Sequence, residues 1–553
     1  MNELAIKASV PTGATAEWWR SAVIYQVYPR SFADADGDGI GDLPGIASRL
    51  PYLSSLGVDA LWMSPFYRSP QADAGYDVAD YRAVDPLFGT LEDFDRLLDQ
   101  AHARRLRVII DLVPNHTSDE HAWFREAQAS PPGSAARGRY IWRKGRGADG
   151  ERPPNNWKSV FGGSAWSRLP GESEWYLHLF DRRQPDLNWN HPEVRAEFDS
   201  ILRFWLDRGV DGFRVDVAHG LVKQAGLPDW DGKVAMVEGE GTGGVDQGPM
   251  WDQEGVHEIY RGWRRVLDAY PGDRMMVAEA WVRPPRRLAR YVRPDEMQQA
   301  FNFDYLLAHW DAGEMRGVIE GSLQAMEAVG APATWVMSNH DTVRHASRLG
   351  LKRPGARPNG IDAAGEQPDA RLGLRRARAA ALLTLALPGS AYLYQGEELG
   401  LPEHTTMAAE HRQDPTFYRS EGDEIGRDGC RVPVPWRADA PSFGFSVGGA
   451  TWLPQPESFA EHAVDRQDGV PGSTLELYRA LLRLRREHGL GSGRIRWRAS
   501  APDVLVFDNG PVRAAVNFGL GTAPMPEGCL LLSSEPIEQA GRLPGNAAAW
   551  LAI

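Results

Sequence analysis

Three acidic residues stand at the C-terminal edges of three separate apolar, β-branched runs: Asp216 in GFRVDVAHG, Glu279 in MVAEAW and Asp341 in WVMSNHD. Runs of this composition predict buried parallel strands, and an α/β barrel carries its chemistry at that edge of its strands. Adjacent strands lie about 4.8 Å apart. Carboxylates on neighbouring strand ends can therefore approach the ~5–5.5 Å spacing at which one attacks a sugar carbon and the other protonates the departing oxygen, whereas an inverting pair needs a wider gap. Arg214, two residues before Asp216, shares its strand face and is expected to keep it ionised, as a nucleophile requires. Glu279 has Met276, Val277, Ala278 and Trp281 around it, an apolar setting that favours the neutral acid a proton donor must be.

A single Asp or Glu at a strand end is more often a helix cap or a surface ion pair than a catalyst. Three of them, joined by His116 at the end of DLVPNH and His340 at the end of VMSNH, are harder to explain that way. Both imidazoles would face the same barrel mouth, where a neutral ring can donate hydrogen bonds to sugar hydroxyls.

The elements that must hold these side chains recur as a short apolar run, a polar loop and a longer helical segment. Strands are predicted at Val23 to Pro29, Ala60 to Ser64, Val108 to Val113, Gly212 to Val217, Met276 to Ala280, Phe301 to Tyr305, Thr334 to His340 and Ser390 to Gly396. Alternation with helix-like stretches such as LEDFDRLLDQAHARR implies right-handed crossovers and a closed (β/α)8 TIM barrel, over residues 15–115 and 181–490. Residues 116–180, rich in Gly, Pro, Trp and Arg, exceed what a connecting loop needs and predict an inserted subdomain after strand 3. Residues 397–468 predict an irregular lid within the barrel, and the alternating runs of 492–553 predict a C-terminal antiparallel β-domain.

The chain has 553 residues and a formal net charge of −13. This length calls for a large core with smaller appended domains. An acidic surface repels phosphate backbones, so nucleic acid is not an expected partner. Cys430 and Cys529 belong to no ligand pattern and read as free thiols. The N-terminal stretch lacks an apolar h-region, and the longest apolar run, around Ala379 to Pro388, is too short for a bilayer. The expectation is a soluble cytoplasmic protein with no membrane partner. The 20 Trp residues are expected to serve mainly core and interface packing.

Taken in order, DLVPNH, GFRVDVAHG, VAEAW and SNHD resemble the four principal motifs of the α-amylase family of glycoside hydrolases. QPDLNW resembles the fifth motif of its oligo-1,6-glucosidase and α-glucosidase branch, and GVDALWMSP and GSAYLYQGEELG match two further segments. The resemblance implies an exo-acting α-glucosidase for short oligosaccharides of the maltose, isomaltose or sucrose type. It assigns Asp216 as nucleophile, Glu279 as acid/base and Asp341 as the carboxylate that binds the reacting sugar's hydroxyls. It also places Tyr76 beneath that sugar, pairs Asp73 with Arg427 to close the pocket behind it, and adds contacts from His116, Arg214 and His340. Phe180 and Gln184 match positions near the cleavage point. Val217 matches a position bordering the bond, where Val goes with α-1,6 and Ala or Thr with α-1,4 preference. The family's GRDxxRTPMQW segment stands here as GRDGCRVPVPW, with Pro435 in place of Gln.

The loop SFADADGDGIGD matches the first half of an EF-hand through Asp34, Asp36 and Asp38, with Ile40 offering a carbonyl and Asp42 another oxygen. Gly45 stands where an EF-hand needs Glu, and the resemblance implies a structural calcium or magnesium instead, with no cofactor for catalysis. The competing readings are a glucosyl transferase or sucrose isomerase using the same covalent intermediate, and an inactive sugar-binding or transporter-associated relative. The first lacks support from an Arg/Asp cluster in the aglycone loop. The second conflicts with three intact carboxylates and no visible anchor.

Overall fold

The computed structural model describes residues 17–232, 248–356 and 358–553. The N-terminal stretch read for an h-region, and the first two residues of the expected barrel, lie mostly or wholly outside them. Eight parallel strands form one nearly closed sheet: β1 (Val23–Val27), β2 (Ala60–Met63), β3 (Arg107–Leu112), β4 (Gly212–Val215), β5 (Met275–Ala278), β6 (Gln299–Ala300), β7 (Thr334–Val336) and β8 (Ser390–Tyr394). Their lateral order is β6-β5-β4-β3-β2-β1-β8-β7, the order a barrel laid open between β6 and β7 must have. All but Arg107 of these strand residues are buried, which is why they read as continuous apolar runs.

The crossover helices carry their own stop and start signals. Thr90 caps the helix Leu91–Ala103 in a reciprocal capping box with Asp93, and Asp42 caps Leu43–Leu56, which ends on Gly57 at φ 97°. Between β3 and β4 the chain forms a three-stranded antiparallel sheet of Trp142–Lys144, Glu174–Leu177 and Trp166–Arg168. Beyond β8, residues 397–468 form only 3-10 turns and helices of three to five residues. The C-terminal residues build a five-stranded antiparallel sheet. No helix among the described residues is long and apolar enough to cross a membrane.

Two expectations need correction. FNFDY is not a strand: β6 is Gln299–Ala300, and Asn302 caps a short helix, Phe303–Leu307, by accepting from the Tyr305 N–H. An aromatic, β-branched-poor run of five residues cannot be assigned by pattern, and the cap decides it. Strand β7 ends at Val336, so Asp341 lies five residues beyond it, in a loop. Asp216 and Glu279 each follow directly on the last residue of a strand, Val215 and Ala278.

Candidate active site

Strands β4 and β5 are hydrogen-bonded neighbours, with Val215 opposite Ala278, so the two carboxylates that follow them emerge side by side. Arg214 Nη1 lies 2.6 Å from Asp216 Oδ1 and 2.8 Å from Asp111 Oδ1, while Nη2 lies 3.0 Å from Glu279 Oε2. All four side chains are buried. The guanidinium expected to keep Asp216 ionised is thus shared among three carboxylates.

That sharing changes the electrostatics. Burial pushes Asp216 well above the ordinary carboxylate range, Arg214 pulls it down, and the nearby negative charges of Glu279 and Asp111 raise it again. Nor is the Glu279 setting apolar as expected. Besides Arg214, its carboxylate accepts from the Val217 N–H at 2.9 Å and Trp281 Nε1 at 3.2 Å. Trp281 is held by face-to-face stacking on Phe303 at 3.7 Å. The short helix that replaced a predicted strand therefore orients one of Glu279's donors.

Val217 reaches Glu279 by adopting φ 45°, a left-handed conformation that costs a β-branched residue of order 1–3 kcal/mol. Its side chain is buried in a cluster with Phe161, Phe180 and Trp251. Strain at this position aims its N–H at the carboxylate while its methyls face the aromatic wall.

Asp341 is gripped from the opposite side. Its Oδ1 lies 3.1 Å from Arg427 Nη1 and 2.9 Å from Arg431 Nη2. Burial opposes ionisation, yet His340, Arg427 and Arg431 hold the carboxyl well below its ordinary range. Arg427 also reaches Asp73 at 3.0 Å and Asp414 at 2.7 Å, which draws the segment after β8 onto the loop after β2. Gly426 is required there: at φ 77°, a Cβ would meet Asp414 Oδ2 at 2.9 Å.

Asp73 and Tyr76 sit on a turn tied by Asp77, whose carboxylate accepts from the Ala72 and Asp73 N–H groups. The Tyr76 ring stacks on His340 at 5.4 Å and 6°, and its hydroxyl lies 2.5 Å from His340 Nε2 and 3.2 Å from Asp111 Oδ2. Gln26 Nε2 lies 2.7 Å from His340 Nδ1; since an amide nitrogen only donates, the imidazole proton belongs on Nε2. The QPDLNW segment pairs with the chain after β3 through the Leu187 N–H to Asn115 carbonyl and Thr117 N–H to Pro185 carbonyl bonds. This pairing brings Gln184 to 3.1 Å from both Asp73 Oδ2 and His116 Nε2, with Phe180 5.1 Å from the His116 ring.

All the predicted substrate contacts, Asp73, Tyr76, His116, Phe180, Gln184, Arg214, Val217, His340 and Arg427, thus belong to one connected set with the carboxylates. Asp111, Asp414 and Arg431 were missed as members. Asp111, fully buried and pushed up by burial to about 7 against the pull of Arg214, lies inside DLVPNH, where its place at the end of a strand was a legible signal. Asp414 has no such signal, because only the tertiary fold brings it to Arg427.

The acidic loop lies elsewhere, at the start of the helix Leu43–Leu56. Asp34, Asp36 and Asp42 bring carboxylate oxygens within 4.8 Å of one another. Asp38 stands outside this group, its carboxylate accepting from the Ile40 N–H at 2.7 Å. Asp42 already accepts from Ala35, Asp36 and Gly45 N–H groups.

The chain is similar to known proteins along nearly its whole length. Residues 26–492 match the model of the alpha amylase catalytic domain. A probable alpha-glucosidase of Rhizobium meliloti (strain 1021) is 40% identical over 508 residues, covering 89% of this chain and 87% of that protein. An oligo-1,6-glucosidase of Parageobacillus thermoglucosidasius is 35% identical over 504 residues, covering 86% and 84%. The crystal structure of the alpha-glucosyl transfer enzyme XgtA superposes with a TM-score of 0.83 at 38% identity, covering 97% of this chain and all of that one. A barrel carrying buried carboxylates at adjacent strand ends, matched over this length, belongs to the α-amylase family of glycoside hydrolases.

Proposed function

We propose that the protein is a retaining exo-α-glucosidase that removes terminal non-reducing glucose from short α-glucosides. The observation that carries this reading is the convergence of Asp216 and Glu279, at the ends of neighbouring strands, on one guanidinium. Carboxyl groups that share one guanidinium suit the short spacing of a retaining pair better than the wider gap an inverting enzyme keeps for water. The Arg427 to Asp73 and Asp341 bridges join the loops after β2, β7 and β8 beside the carboxylates, and a pocket closed there fits attack at a chain end.

In this mechanism Asp216 attacks the anomeric carbon from below while Glu279 gives its proton to the glycosidic oxygen. The C–O bond to the aglycone breaks, and a glucosyl ester on Asp216 forms. Glu279, now ionised, takes a proton from water, whose oxygen attacks the same carbon and releases glucose and the Asp216 carboxylate. Asp341, ionised throughout, accepts hydrogen bonds from the sugar's hydroxyls. Tyr76 offers a flat face to the ring.

Likeness to a glucosyl transfer enzyme favours a second outcome for the same ester, capture by a sugar hydroxyl in place of water. Incubation with maltose, isomaltose, sucrose and trehalose separates the outcomes by products, and proton NMR of the first-formed glucose tests retention. First-formed β-glucose would overturn the mechanism. The two free thiols, Cys430 and Cys529, suit action in the reducing cytoplasm.

Val217 should bias linkage. Its position between Glu279 and the aromatic wall limits the space for an acceptor, and one or two methyl groups are worth roughly 1–3 kcal/mol of discrimination. Val217→Ala and Val217→Thr are expected to raise the ratio of maltose to isomaltose kcat/KM. An unchanged ratio in both would place the linkage decision elsewhere, most directly at the divergent segment around Arg431.

The all-oxygen cluster of Asp34, Asp36 and Asp42 suits a hard divalent cation such as calcium or magnesium, which would tie the loop to the helix that Asp42 caps. Chelation is then expected to lower Tm, with restoration on adding back calcium or magnesium, and to leave kcat of the still-folded enzyme unchanged. Calorimetry and metal analysis of the purified protein test this together; a metal-free protein whose Tm ignores both ions would refute it.

A further inference from the structure

One buried cation takes no part in the mechanism above. Lys223 lies in the segment after β4, and its Nζ is 2.7 Å from Asp186 Oδ2 and 2.8 Å from Asn115 Oδ1, with the Gly220 carbonyl as its third acceptor. The three hydrogens of the ammonium are thereby used. Asp186 is itself fixed, since its Oδ1 accepts from the Leu179 N–H at 2.8 Å.

The consequence falls on the neighbouring histidine. With Asn115 Oδ1 facing the lysine, its amide nitrogen must point the other way, to Asp186 Oδ2 at 3.1 Å and His116 Nδ1 at 3.2 Å. An amide nitrogen only donates, so Nδ1 must carry a lone pair. Burial holds His116 at about 4, so the ring is neutral at pH 7 and its single proton sits on Nε2. The Tyr76 carbonyl, an acceptor only, lies 3.2 Å from Nε2 and agrees.

Gln184 has the same rigidity. Its Oε1 accepts from the Asp181 N–H at 2.9 Å and its Nε2 donates to Asp73 at 3.1 Å. Its amide nitrogen nonetheless lies 3.1 Å from His116 Nε2. Two nitrogens that both carry hydrogen cannot bond to each other. A hydroxyl oxygen that accepts from both nitrogens would share the His116 proton with the Tyr76 carbonyl or draw it away from that carbonyl, which lies 3.2 Å off.

We propose that Lys223 is a positioning residue: acting through Asn115, it holds His116 as the Nε2–H tautomer, so that His116 and Gln184 present paired donors to one hydroxyl oxygen of the bound sugar. This rests on reading the pocket as the glucose site.

Two variants test it, Lys223→Met, which frees the Asn115 amide to turn, and Asn115→Asp, which keeps shape and the lysine contact but places an acceptor against Nδ1. The His116 tautomer is read by 15N NMR of histidine-labelled free enzyme, the signal assigned with His116→Asn. Kinetics use p-nitrophenyl α-glucoside and its monodeoxy analogues. In both variants Nδ1 should gain proton occupancy, and kcat/KM should fall roughly tenfold or more for the parent but much less for one deoxy analogue. A purely structural lysine would lower kcat/KM equally for all analogues, which would overturn the proposal, as would an unaltered Nε2–H signal in Asn115→Asp. A shifted tautomer with unchanged kinetics would support the relay and overturn the assignment of His116 to the sugar.

Discussion

Replacing Asp216 by Asn is expected to remove about four orders of magnitude or more of kcat while leaving the protein folded. The amide preserves shape and can still accept from Arg214, but it cannot form the glucosyl ester. Stability should move little or rise. A buried carboxyl whose folded pKa is raised, as burial and Glu279 raise this one, stabilises the fold fully only below its unfolded pKa. That contribution is lost as pH climbs through the folded value, so at neutral pH the neutral amide avoids a cost the carboxylate bears. Arg214 keeps Asp111 and Glu279 as partners. Turnover and thermal unfolding measured on the same preparation decide it: near-native turnover in a folded variant would remove Asp216 from the role of nucleophile.

Glu279→Gln should separate the two chemical steps. Substrates with poor leaving groups need the proton, so maltose is expected to lose roughly 10²–10⁴-fold in kcat/KM, whereas dinitrophenyl α-glucoside, whose phenolate leaves unaided, should lose far less. Breakdown of the ester then becomes slow, because no base activates water. Azide needs no base, so it should restore turnover of the aryl glucoside and yield glucosyl azide. The variant amide can still accept from the Val217 N–H and lie against Trp281, so the pocket should persist. Equal losses on both substrates with no effect of azide would show that Glu279 is not the acid/base.

Both predictions concern residues that the chain announces in its linear order. Asp216 and Glu279 follow directly on runs whose apolar, β-branched composition already requires a buried parallel strand, and a strand dictates which residue leaves the sheet at its end. The barrel, the antiparallel C-terminal sheet and the principal motifs were legible for the same reason: period, composition and order along the chain are local properties. FNFDY failed because five aromatic and polar residues satisfy neither period, and a single capping side chain, Asn302, outweighed propensity.

What only the tertiary structure decided is which groups share a charge. Arg214 and Asp216 are two residues apart, but the guanidinium's other partners, Asp111 and Glu279, come from β3 and the end of β5. That joined the expected Arg214–Asp216 pair and the expected apolar acid into a single charged cluster. Arg431, far along the chain, meets Asp341 only because the segment after β8 folds back over the mouth, and Asp414 reaches Arg427 only through the turns within that segment. Short-range pattern specifies where a side chain leaves its strand. The proton it carries depends on burial and on charges a few ångströms away, and those distances exist only after the barrel has closed.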